Sequence, residues 1–176
     1  METKEKKSLI EALLFVSGEP MALGAIKSVI DIPEDEIRQL LAEIADEYRG
    51  REAGILIAEI AGGYQFVTNP SFAPWIRKLK QTSGANKLSL PALETLAIIA
   101  YNQPIIKADV EQIRGVNSDG VMKTLLDRRL IKIMGRKEVP GKPLMYGTTR
   151  EFLQYFGLKD LSDLPTVKDL AREEAA

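Results

Sequence analysis

A general base working near neutral pH is most often histidine, and a thiolate nucleophile needs cysteine. The sequence contains neither. Imidazole and thiolate metal sites are excluded with them, as are disulfides, and the lack of cysteine fits a reducing cytosol. Charged chemistry is left to 25 Asp and Glu against 24 Lys and Arg, a net charge of −1. Carboxylates can act in pairs as acid and base, but runs such as Glu34-Asp35-Glu36 read as solvated helix faces. Nothing has the spacing of nucleophile, base and orienting group. Gly141-Lys142 is a poor phosphate cradle. Such a loop needs glycine-rich backbone leading into a helix, whereas Pro140 and Pro143 flank this pair between two strand candidates. The chain is expected to have no catalytic residue, no cofactor and no metal.

Two polar residues stand out inside an apolar second half. Glu94 opens one helix and Arg114 closes the next, so the two are candidates for an ion pair that fixes helix packing, or for contact with a partner. Charge is also uneven. Residues 117–150 hold eight bases (Lys123, Arg128, Arg129, Lys132, Arg136, Lys137, Lys142 and Arg150) against Asp119, Asp127 and Glu138, a net +5. Residues 1–83 run to −3. Phosphate contact is physically possible at the basic stretch.

The elements that must carry these groups follow from periodicity. No apolar run approaches the ~20 residues that span a bilayer. The opening METKEKKSLIEALLFVSG is charged and then apolar, like a signal peptide, but Glu11 and the helical spacing of Leu9, Ile10, Leu13, Leu14 and Val16 make it a first helix. Ser8 is its expected N-cap and residues 1–7 are expected to fray. Gly18-Glu19-Pro20 stops it. A short second helix carries Leu23, Ile26, Val29 and Ile30. Pro33 opens a third, with Ile37, Leu40, Leu41, Ile44 and Tyr48 as its apolar stripe. Ile55–Ile60 and Tyr64–Thr68 then read as strands about a Gly62-Gly63 turn. A last helix from Pro74 to about Lys80 is expected to fold Trp75 and Leu79 back. QTSGAN (81–86) has linker composition.

Sliding the chain by 84 residues sets Pro20 on Pro104, Leu14 on Ile98, Ile26 on Val110, Val29 on Ile113, Ile37 on Val121 and Leu41 on Leu125. The order repeats: a helix to about Tyr101 packed through Leu93, Leu96, Ala97 and Ala100, a break at Asn102-Gln103-Pro104, a helix over 106–113, and a third over about 119–129. A hairpin of 131–135 and 145–149 with a wing over 137–143 follows, then a short helix over 151–156. The fold class read from this is mainly α with small β-hairpins (α+β), as two tandem winged helices. Domains are expected at 1–80 and 88–157, with a linker at 81–87 and a tail at 158–176.

Such a fold raises nucleic acid first. Base reading is disfavoured, because the third helix of the second copy opens Ser118-Asp119-Gly120-Val121-Met122, where groove-reading helices place Arg, Asn, Gln or Lys. Its counterpart opens on three acids. A protein-binding use fits better. The alternative is a winged-helix nucleoid protein or transcription regulator that uses the basic wing on DNA.

Particular strings then carry a resemblance. LETLAIIAYNQPI (93–105), RGV (114–116), GR (135–136), PGKP (140–143), YGTT (146–149), FL (152–153) and FGL (156–158) resemble segregation and condensation protein B. FVSGEP (15–20) and GGYQF (62–66) extend the likeness more loosely into the first half. Pro91 departs from an expected small residue, and Ile106-Lys107 from a Thr-Arg pair. The resemblance implies an accessory subunit of the prokaryotic SMC–kleisin condensin complex, cytoplasmic and nucleoid-associated, acting in chromosome condensation and segregation.

It further implies a homodimer formed through the first domains, and second domains that engage the kleisin, segregation and condensation protein A. The SMC protein, which supplies its own nucleotide site, is reached indirectly. DNA contact is expected to be weak or made through the complex. The positions expected at the kleisin are Tyr101, Gln103, Pro104, Arg136, Tyr146 and Phe156. Those expected at the dimer interface are Leu9, Leu13, Phe15 and Tyr64.

Overall fold

The computed structural model describes residues 1–80 and 87–166. It is mainly helical, with small antiparallel sheets, an α+β chain. It divides into two compact units, the first of residues 1–84 and 157–176, the second of 85–156. The expected linker, Lys87 apart, and the last ten residues lie outside the described residues.

The first unit opens with α1 (Thr3–Ser17). It begins five residues before Ser8, so the charged start is helix rather than a frayed end. The reason is electrostatic: Lys6 Nζ donates to Glu36 at 2.5 Å, and Lys7 lies 2.9 Å from Glu43 and 2.7 Å from Glu47, all on α3 (Glu34–Gly50). Between them runs α2 (Leu23–Ile30). Ile10, Leu14, Ile26, Ile37, Leu40, Leu41 and Ile44 form one buried cluster. Each fully buried Leu or Ile contributes about 1.5–3 kcal/mol.

β1 (Ile55–Ile60) and β2 (Gly63–Thr68) pair in register from Ile55–Thr68 to Ile60–Gly63. The turn sits one residue earlier than its glycines suggest. Ala61 and Gly62 take the positive φ angles, 50° and 70°. Gly63 serves a different purpose: a Cβ there would come within 2.9 Å of the Pro20 and Met21 backbone. That closeness lets Met21 bridge Tyr64 through two backbone hydrogen bonds of 2.9 and 2.8 Å. After the hairpin, a 3-10 turn (Pro70–Phe72) leads into α4 (Ala73–Lys80). Trp75 and Leu79 do not fold back; they are 64% and 78% exposed.

The first unit is completed from the far end of the sequence. Ala61 N–H donates to Leu158 O at 2.9 Å and Gly62 N–H to Lys159 O at 3.1 Å, while Lys159 Nζ lies 3.2 Å from Glu59. Asp160 and Asp163 hold this returning segment: the Asp160 carboxylate accepts from Ser162 N–H, and Asp163 from Lys159 N–H.

The second unit comprises α5 (Leu90–Asn102), β3 (Ile105–Ile106), α6 (Lys107–Arg114), α7 (Asp119–Asp127), β4 (Ile131–Arg136), β5 (Leu144–Thr148) and α8 (Arg150–Phe156). The strand order is β3-β5-β4, all antiparallel, with a bulge in β4 between Ile133 and Gly135. Ile105 faces Tyr146 as Met21 faces Tyr64, and α6 is α2 moved by 84 residues at both ends. The buried face of α5 is Ala92, Thr95, Leu96, Ile99 and Ala100. Leu93 and Ala97, read from spacing as packing residues, point to solvent instead. The face is set by the chain crossing three neighbours, α6, α7 and β5.

Candidate interaction surfaces

In the first unit the exposed end of α1 is apolar. Phe15 and Val16 are 79% and 78% exposed. Phe15 borders a shallow groove of about 330 Å³, floored by Tyr48 and Phe66, whose rings lie 5.3 Å apart. Arg51 sits over the Tyr48 ring at 4.0 Å. Of the other residues expected at a dimer contact, Leu9 is half-buried, and Leu13 and Tyr64 pack against the core cluster. The structure therefore does not bring the four together on one free face. Phe15 is the one of them that projects.

In the second unit the six expected contact residues separate into two kinds. Gln103 and Tyr146 are internal in their chemistry. The Gln103 side chain donates to Ala100 O at 3.0 Å and accepts from Thr148 N–H at 2.8 Å and from Thr148 Oγ1–H at 3.1 Å. Tyr146 is half-buried on the central strand, paired with both Ile105 and Ile133. The others reach solvent. Tyr101 is 48% exposed at the end of α5, and Pro104 follows it. Phe156 is 42% exposed and stacks on Phe152 and Tyr155, both at 5.0 Å. Arg136 donates across the wing to Lys142 O at 2.9 Å.

Glu94 and Arg114 lie 3.7 Å apart, with very different burial: the Arg114 side chain is 9% exposed and that of Glu94 54%. Arg114 is anchored on its inner side instead, where Nη1 donates to the buried Ser118 Oγ at 3.1 Å. Its Nε is buried without a hydrogen-bond partner. Ser118 precedes α7, but its hydroxyl does not cap the helix; it is committed to Arg114. Its N–H donates to Glu111 at 2.9 Å. Asp119 bonds Lys107, which holds the Asp119 carboxyl below the usual range and the Lys107 ammonium above its own. The start of α7 is thus consumed by internal contacts. Among the described residues no group of three or more His, Cys, Asp or Glu is placed to hold a metal ion, and no helix is long and apolar enough to cross a membrane.

The family of segregation and condensation complex subunit ScpB matches residues 8–167, nearly the whole chain. The chain belongs to the ScpB family. Segregation and condensation protein B of Syntrophotalea carbinolica is 50% identical over 169 residues, covering 96% of this chain and 85% of that one. The crystal structure of ScpB from Mycobacterium tuberculosis is 37% identical and covers 90% of this chain and 98% of that one, with a TM-score of 0.45. A crystal structure of a dimer of an ScpB N-terminal domain complexed with an ScpA peptide is 32% identical, covering 43% of this chain and 95% of that one, with a TM-score of 0.42.

Reading the sequence missed several exposed apolar residues of this ScpB-family chain. Val16, Phe72 and Trp75 in the first unit, and Leu90, Ile113 and Ile133 in the second, are all more than two-fifths exposed. Leu90 carried a usable signal, since it lies on the same side of α5 as Glu94, one turn away. Trp75 was expected to fold back with Leu79, four residues on, but both face solvent instead.

Proposed function

We propose that the chain is a non-catalytic, homodimeric accessory subunit of the SMC–kleisin complex, built as two tandem winged helices. In this reading residues 1–80 dimerise, 88–157 bind the kleisin, 81–87 link the two and 158–176 form the tail. The kleisin is segregation and condensation protein A, through which the dimer influences the SMC ATPase. The subunit works in the cytoplasm at the nucleoid, in chromosome condensation and segregation. The observation that carries the reading is membership of the ScpB family over residues 8–167, whose description is that of a complex subunit.

Physical features support the assignment of surfaces. Phe15 is the anchor of the dimer contact, because an exposed aromatic beside an apolar groove gains most from being covered. Tyr101, Pro104, Arg136 and Phe156 are the kleisin-facing residues. Gln103 and Tyr146 act behind them by holding α5 and β3 against β5.

Light scattering of the purified chain, alone and mixed with the middle fragment of the kleisin, tests this. A dimer that gains the mass of the fragment is the expected result. A monomer that ignores the fragment refutes the proposal.

A further inference from the structure

The hairpin of the second unit carries a charge pattern of which the partner assignment uses only Arg136. Residues 128–150 hold seven Lys and Arg against the single Glu138, a net +6 in a chain whose total is −1. The fold gathers these charges. Arg128 and Arg129 directly follow α7, and Arg129 takes φ 56° to turn the chain toward β4. Thr149 Oγ1 donates to Arg129 O at 2.5 Å, which holds the start of α8, and with it Arg150, beside that turn. Lys132 sits opposite Gly147, next to the Ile131–Thr148 pair. Arg128, Arg129, Lys132 and Arg150 therefore share the base of the hairpin. Arg136, Lys137 and Lys142 occupy its far end. All seven are exposed. At the far end Lys137 is 3.9 Å from Asp109 and Lys142 is 3.8 Å from Glu138, both long, exposed pairs that offset little charge.

We propose that this basic hairpin, from the end of α7 to the start of α8, binds the phosphate backbone of double-stranded DNA without reading its sequence. Charge complementarity selects the partner. A duplex presents a phosphate about every 1.7 Å of axis, so cations spread along a whole hairpin find one in any register. An acidic protein offers carboxylates at fixed places and must match them one by one. Base reading is disfavoured for a structural reason: at the opening of α7, Ser118 and Met122 are buried and Asp119, an acid, is held by Lys107. The proposal shares Arg136 alone with the kleisin assignment, and the other six charges carry it without that residue.

The test uses the full chain and fluorescently labelled duplexes of two unrelated sequences, followed by anisotropy between about 50 and 200 mM salt. Equal affinity for both sequences is expected, falling steeply with salt. The triple variant Arg129→Gln, Lys132→Gln, Arg136→Gln should bind about tenfold or more weakly and lose about one unit of the log–log salt slope per charge removed. Absence of wild-type binding at about 50 mM salt overturns the proposal. So does a folded triple variant with unchanged affinity and slope. Displacement of the duplex by polyglutamate at equal charge concentration would reassign the surface to an acidic protein. Lys132→Gln alone serves as the second variant, and a slope equal to wild type in it also counts against the proposal.

Discussion

The Gln103 side-chain oxygen accepts two hydrogen bonds from Thr148, one from its N–H and one from its hydroxyl, across 45 residues of sequence. Thr148 is nearly buried, so its N–H has no ready access to water in place of that oxygen. Gln103→Ala should lower stability by about 1–3 kcal/mol, the cost of an unsatisfied buried donor. Thr148→Val, which removes the hydroxyl alone, should cost less. Urea unfolding of both variants measures the difference, and equal losses would show that the hydroxyl bond matters as much as the backbone one.

Gly63 is fixed by the space around it. Its φ is not of the left-handed kind, so alanine fits the backbone but not the gap against Pro20 and Met21. Gly63→Ala should push the Met21–Tyr64 bridge apart and cost about 1–3 kcal/mol as overpacking does. A thermal midpoint unchanged from wild type would show that the Pro20–Met21 strand moves aside freely.

Phe15 offers the opposite case. At 79% exposed it supports little of its own unit, so Phe15→Ser should change monomer stability by less than about 0.5 kcal/mol. Under the proposed function it should nonetheless shift the dimer toward monomer, by tenfold or so in dissociation constant for about 1.4 kcal/mol of lost contact. Sedimentation velocity over a dilution series reads the shift.

The response to pH follows from the missing imidazoles. With no side chain that titrates ordinarily between about pH 6 and 8, stability should be flat there. Acid is different. Hydrogen bonds from Lys107 and Asn117 lower the Asp119 carboxyl, and those from Lys7 and Gln39 lower that of Glu43. A lowered folded value means the stabilisation is present above the ordinary carboxylate range and is lost as pH falls through the folded value. Thermal midpoints taken from neutral pH down through the carboxylate range should fall only in its lower part. A decline already under way near pH 7 would contradict the assignment.

Elements whose signals are local were legible in the sequence. The stripe Ile37-Leu40-Leu41-Ile44 contains its own period, the run Ile55–Ile60 is continuous in apolar residues but for Glu59, and the 84-residue repeat aligned the sequence of α6 with that of α2. Features made by distant residues were not. The start of α1 was misread because the helix is held there by Glu36, Glu43 and Glu47, some 30 to 40 residues away. Gly63 looked like a turn residue, because nothing in GGY discloses that the Pro20–Met21 backbone passes against it. For the surfaces, Phe15 and Tyr101 were legible as apolar residues, but the hydrogen bonds that commit Gln103 inward depend on where β5 arrives.

The return of Leu158 and Lys159 to the Ala61-Gly62 turn has a consequence for the order of events at the ribosome. Synthesis reaches Leu158 only after every residue of the second unit has been made. Until then the two turn N–H groups have only water to bond, and Glu59 lacks the ammonium that later faces it. The first unit to be translated is thus the last to be finished, and its final backbone hydrogen bonds form only once its neighbour has emerged.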